Sequence, residues 1–195
     1  EYEAFEGLFF VDTLDLTEAK PYEQVADLWM TQENTARVNR QKSAPITVII
    51  GNPPYNVGQL NENDNNKNRK YVVVDKRIHD TYVADSGATL KAQLYDPYVR
   101  FFRWATDRLG DRDGILCYVS NNSFVEQFAF DGMRKHLLTE FTRVFHVDLH
   151  GNVRKNPKLS GSTHNVFGIQ VGVGITVAVR RRSHKASKLN YTRLE

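Results

Sequence analysis

Four consecutive residues, Asn52-Pro53-Pro54-Tyr55, combine an amide, a rigid backbone and an aromatic ring. The two prolines fix two φ angles and remove two backbone donors, so neither a helix nor a strand ladder continues through them. The Asn52 side-chain oxygen and the Pro53 carbonyl can each accept one hydrogen of an exocyclic amine. Accepting both hydrogens holds the nitrogen lone pair out of conjugation, and the Tyr55 ring offers a stacking face. This chemistry suits transfer of a group to an amino nitrogen.

The alternative is an ordinary turn that ends a strand, in which Asn52 hydrogen-bonds its own backbone. The β-branched run from Ile46 to Ile50 predicts a buried strand immediately before the motif. In open α/β sheets, ligands bind beyond the carboxyl ends of the strands. This position favours a functional motif over a simple turn.

The elements around the motif predict an α/β fold. Strands are expected at residues 7–12 (ending in Asp12), 46–50, 114–119, 143–149 and 169–180. Helices are expected around residues 22–29, at 80–84 after a cap at Asp75, from an Asp96-Pro97 start through Leu109, and at 123–138. Strands that alternate with helices form a mostly parallel sheet covered on both faces. The last two strands are expected to form a terminal antiparallel pair.

Composition is that of a single globular domain: 195 residues, 41% hydrophobic, 25% charged and a net charge of +3. No apolar run approaches the roughly 18 residues of a membrane span, so no membrane partner is expected. The single cysteine, Cys117, excludes an internal disulfide and any multi-cysteine metal site. The six histidines show no metal-ligand spacing, and we predict no metal. A reducing cytoplasm, bacterial or archaeal, is expected.

Basic residues gather where a DNA backbone could pass. Residues 58–70 are rich in Asn without apolar periodicity and predict a mobile loop. The candidate DNA-binding residues within and after it are Lys67, Arg69, Lys70, Lys76, Arg77, Arg154, Lys155 and Lys158. Such groups supply sequence-independent affinity by neutralising phosphates. Residues 181–195 read as a basic tail or the start of a next region, and a solvated surface is the alternative for that tail.

The octapeptide IIGNPPYN, residues 49–56, resembles the catalytic motif of amino-group methyltransferases that use S-adenosylmethionine, above all the N6-adenine DNA methyltransferases. Two more blocks, Asp75-Lys-Arg-Ile and Leu94-Tyr-Asp-Pro-Tyr, make the resemblance more specific. Residues 7–180 are similar to the methyltransferase region of single-chain restriction–modification proteins, namely the Type ISP enzymes and related helicase-linked polypeptides.

This resemblance implies roles for six residues. Asn52, Pro53, Pro54 and Tyr55 would form the catalytic motif, with Tyr55 and Phe167 stacking on an adenine flipped out of double-stranded DNA. Asp12, with Asn52, would bind the cofactor, S-adenosylmethionine. Two alternatives stay open: Asp12 as a helix or turn cap, and Phe167 as a residue buried beside the last strand.

One departure from the family concerns the cofactor. The family carries a Gly-rich loop after its first strand, whereas residues 1–51 contain only Gly7 and Gly51. We therefore expect a partial Rossmann-like methyltransferase sheet, its C-terminal half, without the first cofactor-binding strands. Residues 1–195, which begin with Glu1 rather than Met, are expected to be one incomplete catalytic domain. Alone it would be inactive, with an exposed sheet edge open to self-association.

Two other functions remain open at this stage. Methylation of a glutamine side-chain amide in a protein uses the same motif, because an amide presents the same two hydrogens as adenine. A non-catalytic module that binds DNA or a partner protein is the second alternative. The basic, Asn-rich segment after the motif favours DNA as the substrate.

Overall fold

The computed structural model describes residues 5, 7–17, 31–54, 70–149, 171–183 and 186–194. Its strands are β1 (Val48–Gly51), β2 (Gly114–Asn121), β3 (Arg143–Asp148), β4 (Val173–Arg180) and β5 (Lys188–Arg193). Its α-helices are α1 (Gln32–Ser43), α2 (Val72–Ile78), α3 (Pro97–Leu109), α4 (Ser123–Glu126) and α5 (Asp131–Glu140). A π-helical turn (His79–Val83) continues α2, and 3-10 turns occupy Thr13–Thr17, Ala92–Tyr95 and Phe128–Phe130.

The five strands form one mixed sheet in the order β1-β2-β4-β3-β5. β1 pairs with β2 in parallel, and β3 pairs with β5 in parallel. β4 is antiparallel to both of its neighbours, β2 and β3, so every strand except β4 points in the same direction. The predicted α/β class, the mostly parallel strand direction and the antiparallel pair of β3 with β4 are confirmed.

The main core lies between the sheet and α3. Asp96 caps this helix as predicted, because its Oδ1 accepts the Tyr98 N–H at 3.3 Å, and Pro97 occupies the first turn. The Phe102 ring meets the Tyr118 ring of β2 edge-on, with centroids 5.2 Å apart. The buried residues around them are Ile49, Val99, Ala105, Leu109, Leu116, Val144 and Ala178.

The opposite face of the sheet differs from the expectation that both faces are covered. Val48 and Ile50 of β1 are 53% and 76% exposed, and Ile115 and Phe145 are also exposed. These residues alternate with the buried ones, as a two-residue strand period requires. Within the described residues, this apolar face therefore stays open to solvent next to the free edge of β1.

The predicted strand at residues 7–12 is wrong. This segment joins no ladder in the described part of the chain, and Leu8 and Phe10 are largely exposed. The Asn34 side chain of α1 takes the place of a strand partner, since it accepts the Phe10 N–H at 2.7 Å and donates to the Phe10 carbonyl at 2.8 Å. An apolar run forms a strand only where a neighbouring strand can pair with it.

Other boundaries also shift. The helix expected at 80–84 begins earlier, at Val72, so Asp75 lies inside α2. The helix expected at 123–138 is divided because Gln127 adopts an extended conformation between α4 and the next turn. Part of the predicted basic tail forms β5. The helix expected at 22–29 lies outside the described residues, and so does the loop at 58–70 apart from Lys70.

His146 joins three strands beneath the carboxyl ends of β3 and β5. The ring is buried, stacks on Tyr191 at 5.9 Å between centroids, and lies 2.9 Å from the Thr176 hydroxyl through Nδ1. Gly174 makes room for it, because a Cβ there would be 2.4 Å from His146 Cε1. Burial lowers the pKa of His146, and the charge of nearby Asp148 only partly opposes this effect.

This lowered pKa predicts a pH dependence of stability. The unfolded chain binds the proton near pH 6.5 and the folded chain only at lower pH, so stability falls as the pH drops below about 6.5. The slope should be at most about 1.4 kcal/mol per pH unit. Urea unfolding between pH 5 and 7.5 should show a shallower slope for His146→Gln. An unchanged slope in His146→Gln would contradict the assignment.

Candidate active site

The candidate catalytic motif lies where β1 ends. The last paired residue of β1 is Gly51, opposite Tyr118 of β2, and Asn52 follows immediately. Asn52 is exposed, Pro53 is buried and Pro54 is exposed. The buried proline anchors the corner, while the amide beside it faces solvent at the carboxyl edge of the sheet. Tyr55, which the sequence predicts as the stacking ring, lies outside the described residues.

Gly51 allows the motif to sit close to the sheet. A Cβ at this position would lie 3.1 Å from Cε1 of the Tyr118 ring, tighter than most carbon contacts. Tyr118 is itself fixed by the edge contact with Phe102 of α3. Tyr118 therefore packs against the end of β1, and Phe102 packs against Tyr118. This packing fixes the backbone at Gly51, which leads directly into Asn52 and Pro53.

Polar residues gather at the carboxyl ends of β2 and β3, the edge at which β1 also ends. Asn121 is fully buried, and its Oδ1 accepts the Ser123 N–H at 2.8 Å. Asn122 donates through Nδ2 to Asp148 Oδ1 at 2.8 Å, and Tyr191 donates to Asp148 Oδ2 at 3.0 Å. Sequence reasoning missed this cluster. The run Ser120-Asn-Asn-Ser123 at the end of a predicted strand was the available signal.

Asp12 is held by hydrogen bonds at both of its carboxylate oxygens. Its Oδ1 accepts the Leu14 N–H at 3.1 Å and so caps the turn at Thr13–Thr17, as the alternative reading expected. Its Oδ2 accepts the Tyr71 hydroxyl at 2.7 Å. The side chain is half-buried, and the cap does not by itself exclude a ligand-binding role.

The candidate DNA-binding residues fall into three groups. Lys70 and Lys76 are exposed, and Lys76 pairs with Asp80 one turn along the same chain. Arg77 is partly exposed and donates to both oxygens of Asp107, at 3.0 Å through Nε and 2.9 Å through Nη2. The hydrogen bond to Asp107 raises the pKa of Arg77, although burial opposes it. Lys67, Arg69, Arg154, Lys155 and Lys158 lie outside the described residues, as does Phe167.

A cavity of about 660 Å³ lies at the other end of the strands, where α3 ends and β3 begins. Its lining includes Arg77, Arg103, Asp107, Glu140 and Arg180. Arg103 bridges Asp107 and Glu140 at 2.6 and 3.0 Å, so these charges pair with one another. None of the residues that line this cavity belongs to the motif.

The described residues contain no group of three or more His, Cys, Asp or Glu side chains that could hold a metal ion. Among the helices the structure describes, none is long and apolar enough to cross a membrane.

The chain is similar to solved restriction–modification structures over nearly its whole length. It is 43% identical to a chain of the DrdV–DNA complex, with a TM-score of 0.81 over 99% of this chain. It is 33% identical to the ATP-dependent Type ISP restriction-modification enzyme LlaBIII bound to DNA, with a TM-score of 0.86 over 98% of this chain. For a nuclease-deletion mutant of the Type ISP enzyme LlaGI with a DNA substrate mimic, identity is 34%, the TM-score 0.81 and coverage 100%.

The chain spans only a small part of these proteins: 18% of the DrdV chain, 13% of LlaBIII and 16% of LlaGI. No curated protein matches it. Residues 9–153 match the family described as Eco57I restriction-modification methylase, and this stretch includes the motif, α2, α3 and β2. The chain therefore belongs to the Eco57I restriction-modification methylase family.

Proposed function

We propose that this chain is the catalytic-motif portion of an adenine-specific DNA methyltransferase within a restriction–modification system. It would transfer a methyl group from S-adenosylmethionine to N6 of adenine in double-stranded DNA. The observation that carries the proposal is the placement of Asn52 and Pro53 in a member of this methylase family. Pro53 is buried as an anchor and Asn52 is exposed at the carboxyl end of β1.

The acceptor nitrogen is prepared by two oxygens. The Asn52 Oδ1 and the Pro53 carbonyl accept the two N6 hydrogens, so the nitrogen lone pair turns away from the ring and toward the methyl carbon. When bound, S-adenosylmethionine would supply the methyl group, and its sulfur would keep the electron pair of the broken carbon–sulfur bond. The two oxygens would hold N6 in place while it gains the methyl group, and one N6 proton would then leave to solvent. No described residue has to act as a strong base.

Asp12 and Asn52 are the residues of this chain that would hold part of the cofactor. Asp12 fits an amino group because its half-buried carboxylate is an acceptor whose orientation is fixed by Leu14 and Tyr71. Residues 1–51 contain no Gly-rich turn for the rest of the cofactor. We therefore propose that the main cofactor-binding loop is supplied from outside this chain.

DNA is favoured over protein as the substrate. The three similar structures are each described as complexes with DNA or a DNA substrate mimic. Lys70 and Lys76 are exposed after the motif, where they can contact phosphates. We extend this role in DNA binding to Lys67, Arg69, Arg154 and Lys155. The Arg77 guanidinium is instead bound to Asp107, so we propose that it supports DNA binding only indirectly. Tyr55 and Phe167 would stack on the flipped adenine.

Replacing Asn52 tests the proposal directly. Asn52→Ala in the full-length protein should lower kcat for DNA methylation by about 10²-fold or more, because one preorganised acceptor is lost. Folding should be unaffected, since the side chain is exposed. Asn39→Ala, at an exposed position of α1, is the matched control and should keep the normal rate. A near-normal rate in Asn52→Ala would show that the motif is only a turn.

Tyr55 offers a test of base stacking. Tyr55→Phe should be mild and Tyr55→Ala severe, because stacking requires the ring face and not the hydroxyl. A fluorescent adenine analogue at the target position should brighten on binding to the wild type and to Tyr55→Phe, and less on binding to Tyr55→Ala. Equal losses from the two substitutions would point to hydroxyl chemistry instead.

The 195-residue chain by itself should neither bind S-adenosylmethionine tightly nor methylate DNA, and it should self-associate through the edge of β1. Isothermal titration tests binding, and sedimentation tests association. Ile50→Lys should reduce association because it places a charge on this exposed edge strand. Val72→Lys, at an equally exposed position of α2, should leave it unchanged. Micromolar cofactor binding by a monomer would contradict both expectations.

A further inference from the structure

A set of polar contacts connects Asp12 to two helices that follow it much later in the chain. The Tyr71 hydroxyl donates to Asp12 Oδ2 at 2.7 Å, across a separation of 59 residues. Tyr71 is only 5% exposed, so solvent competes little for this hydrogen bond. A residue distant in sequence therefore helps to fix Asp12, whose own segment joins no strand in the described part of the chain.

Tyr71 is itself held at two further points. Its backbone N–H donates to Asp75 Oδ2 at 3.1 Å. The Arg100 guanidinium of α3 holds the same carboxylate with two hydrogen bonds, at 2.7 and 3.1 Å, and lies 5.5 Å from the centroid of the Tyr71 ring. Both charged side chains of this pair are mostly buried. A bidentate pair in these surroundings is rigid, so the Tyr71 hydroxyl has a defined position.

The consequence for Asp12 is a fixed carboxylate plane. The Leu14 N–H holds Oδ1 and the Tyr71 hydroxyl holds Oδ2, so the carboxylate cannot rotate without breaking one of these bonds. A fixed acceptor binds an amino group with less loss of conformational freedom than a rotating one. We propose that Tyr71 is a positioning residue that orients the Asp12 carboxylate toward the amino group of the cofactor. This inference rests on the proposed function, in which Asp12 binds the cofactor.

The test compares two tyrosines in the full-length protein. Tyr71→Phe removes the hydroxyl and keeps the ring. It should weaken S-adenosylmethionine binding and raise the KM for this donor by roughly tenfold, the loss expected for one hydrogen bond to a charged group. The kcat at saturating donor and the affinity for DNA should not change. Tyr98→Phe is the control, because the Tyr98 hydroxyl is buried and has no hydrogen-bond partner among the described residues.

A double-mutant cycle decides whether Tyr71 acts through Asp12. Asp12→Ala should weaken donor binding, and adding Tyr71→Phe to it should cause no further loss. Fully additive losses, an Asp12→Ala variant with normal donor affinity, or a Tyr71→Phe variant with normal donor affinity would each overturn the inference. If the wild type binds the donor but never methylates adenine, the proposed function fails, and the donor-affinity cycle still decides the role of Tyr71.

Discussion

Among the described residues, β1 pairs with one strand, β2, and the ladder between them runs from Val48–Ile115 to Gly51–Tyr118. The position of the Asn52-Pro53-Pro54 turn depends on this short parallel ladder. The Tyr118 ring lies against Gly51, and the Phe102 ring of α3 supports Tyr118 from the core. Because Pro53 and Pro54 have fixed φ angles, the backbone direction set by this ladder continues into the turn that follows Asn52.

Internal charge pairs occupy the end of the sheet away from the Asn52-Pro53-Pro54 turn, where α3 ends and β3 begins. Arg103 is almost fully buried between Asp107 and Glu140, and Arg180 donates to the last carbonyls of two helices, at Thr106 of α3 and Glu140 of α5. Removing one partner of such a network would leave a buried charge uncompensated. These contacts fix α3 and α5 against the sheet. The cationic groups at this end of the sheet therefore stabilise the fold.

Sequence patterns were most reliable where the signal was local. The β-branched run before Gly51 does form a strand and Asp96-Pro97 does start a helix, because each depends on neighbouring residues. The expected burial of that strand is wrong for Val48 and Ile50, which are exposed. The segment at 7–12 has the same apolar character but joins no ladder in the described residues, and Asn34 binds its backbone instead. β5 was hidden by its basic composition, although Leu189 and Tyr191 alternate as in a strand.

The polar contacts of the site were the hardest to predict, since they join distant parts of the chain. The hydrogen bond from Tyr71 to Asp12 depends on how α2 packs beside the turn at Thr13–Thr17. The Asn122–Asp148 contact requires the registers of three strands, because β4 lies between β2 and β3. No local pattern of residues contains this information.

The most direct test is the identity of the methylated product. The full-length protein would be incubated with S-adenosylmethionine labelled in its methyl group, together with double-stranded DNA and a release-factor protein. The DNA would then be digested to nucleosides for analysis. Our account predicts that the label appears in N6-methyladenine and disappears from it in Asn52→Ala. Label in the protein alone, or in a cytosine derivative, would contradict the account.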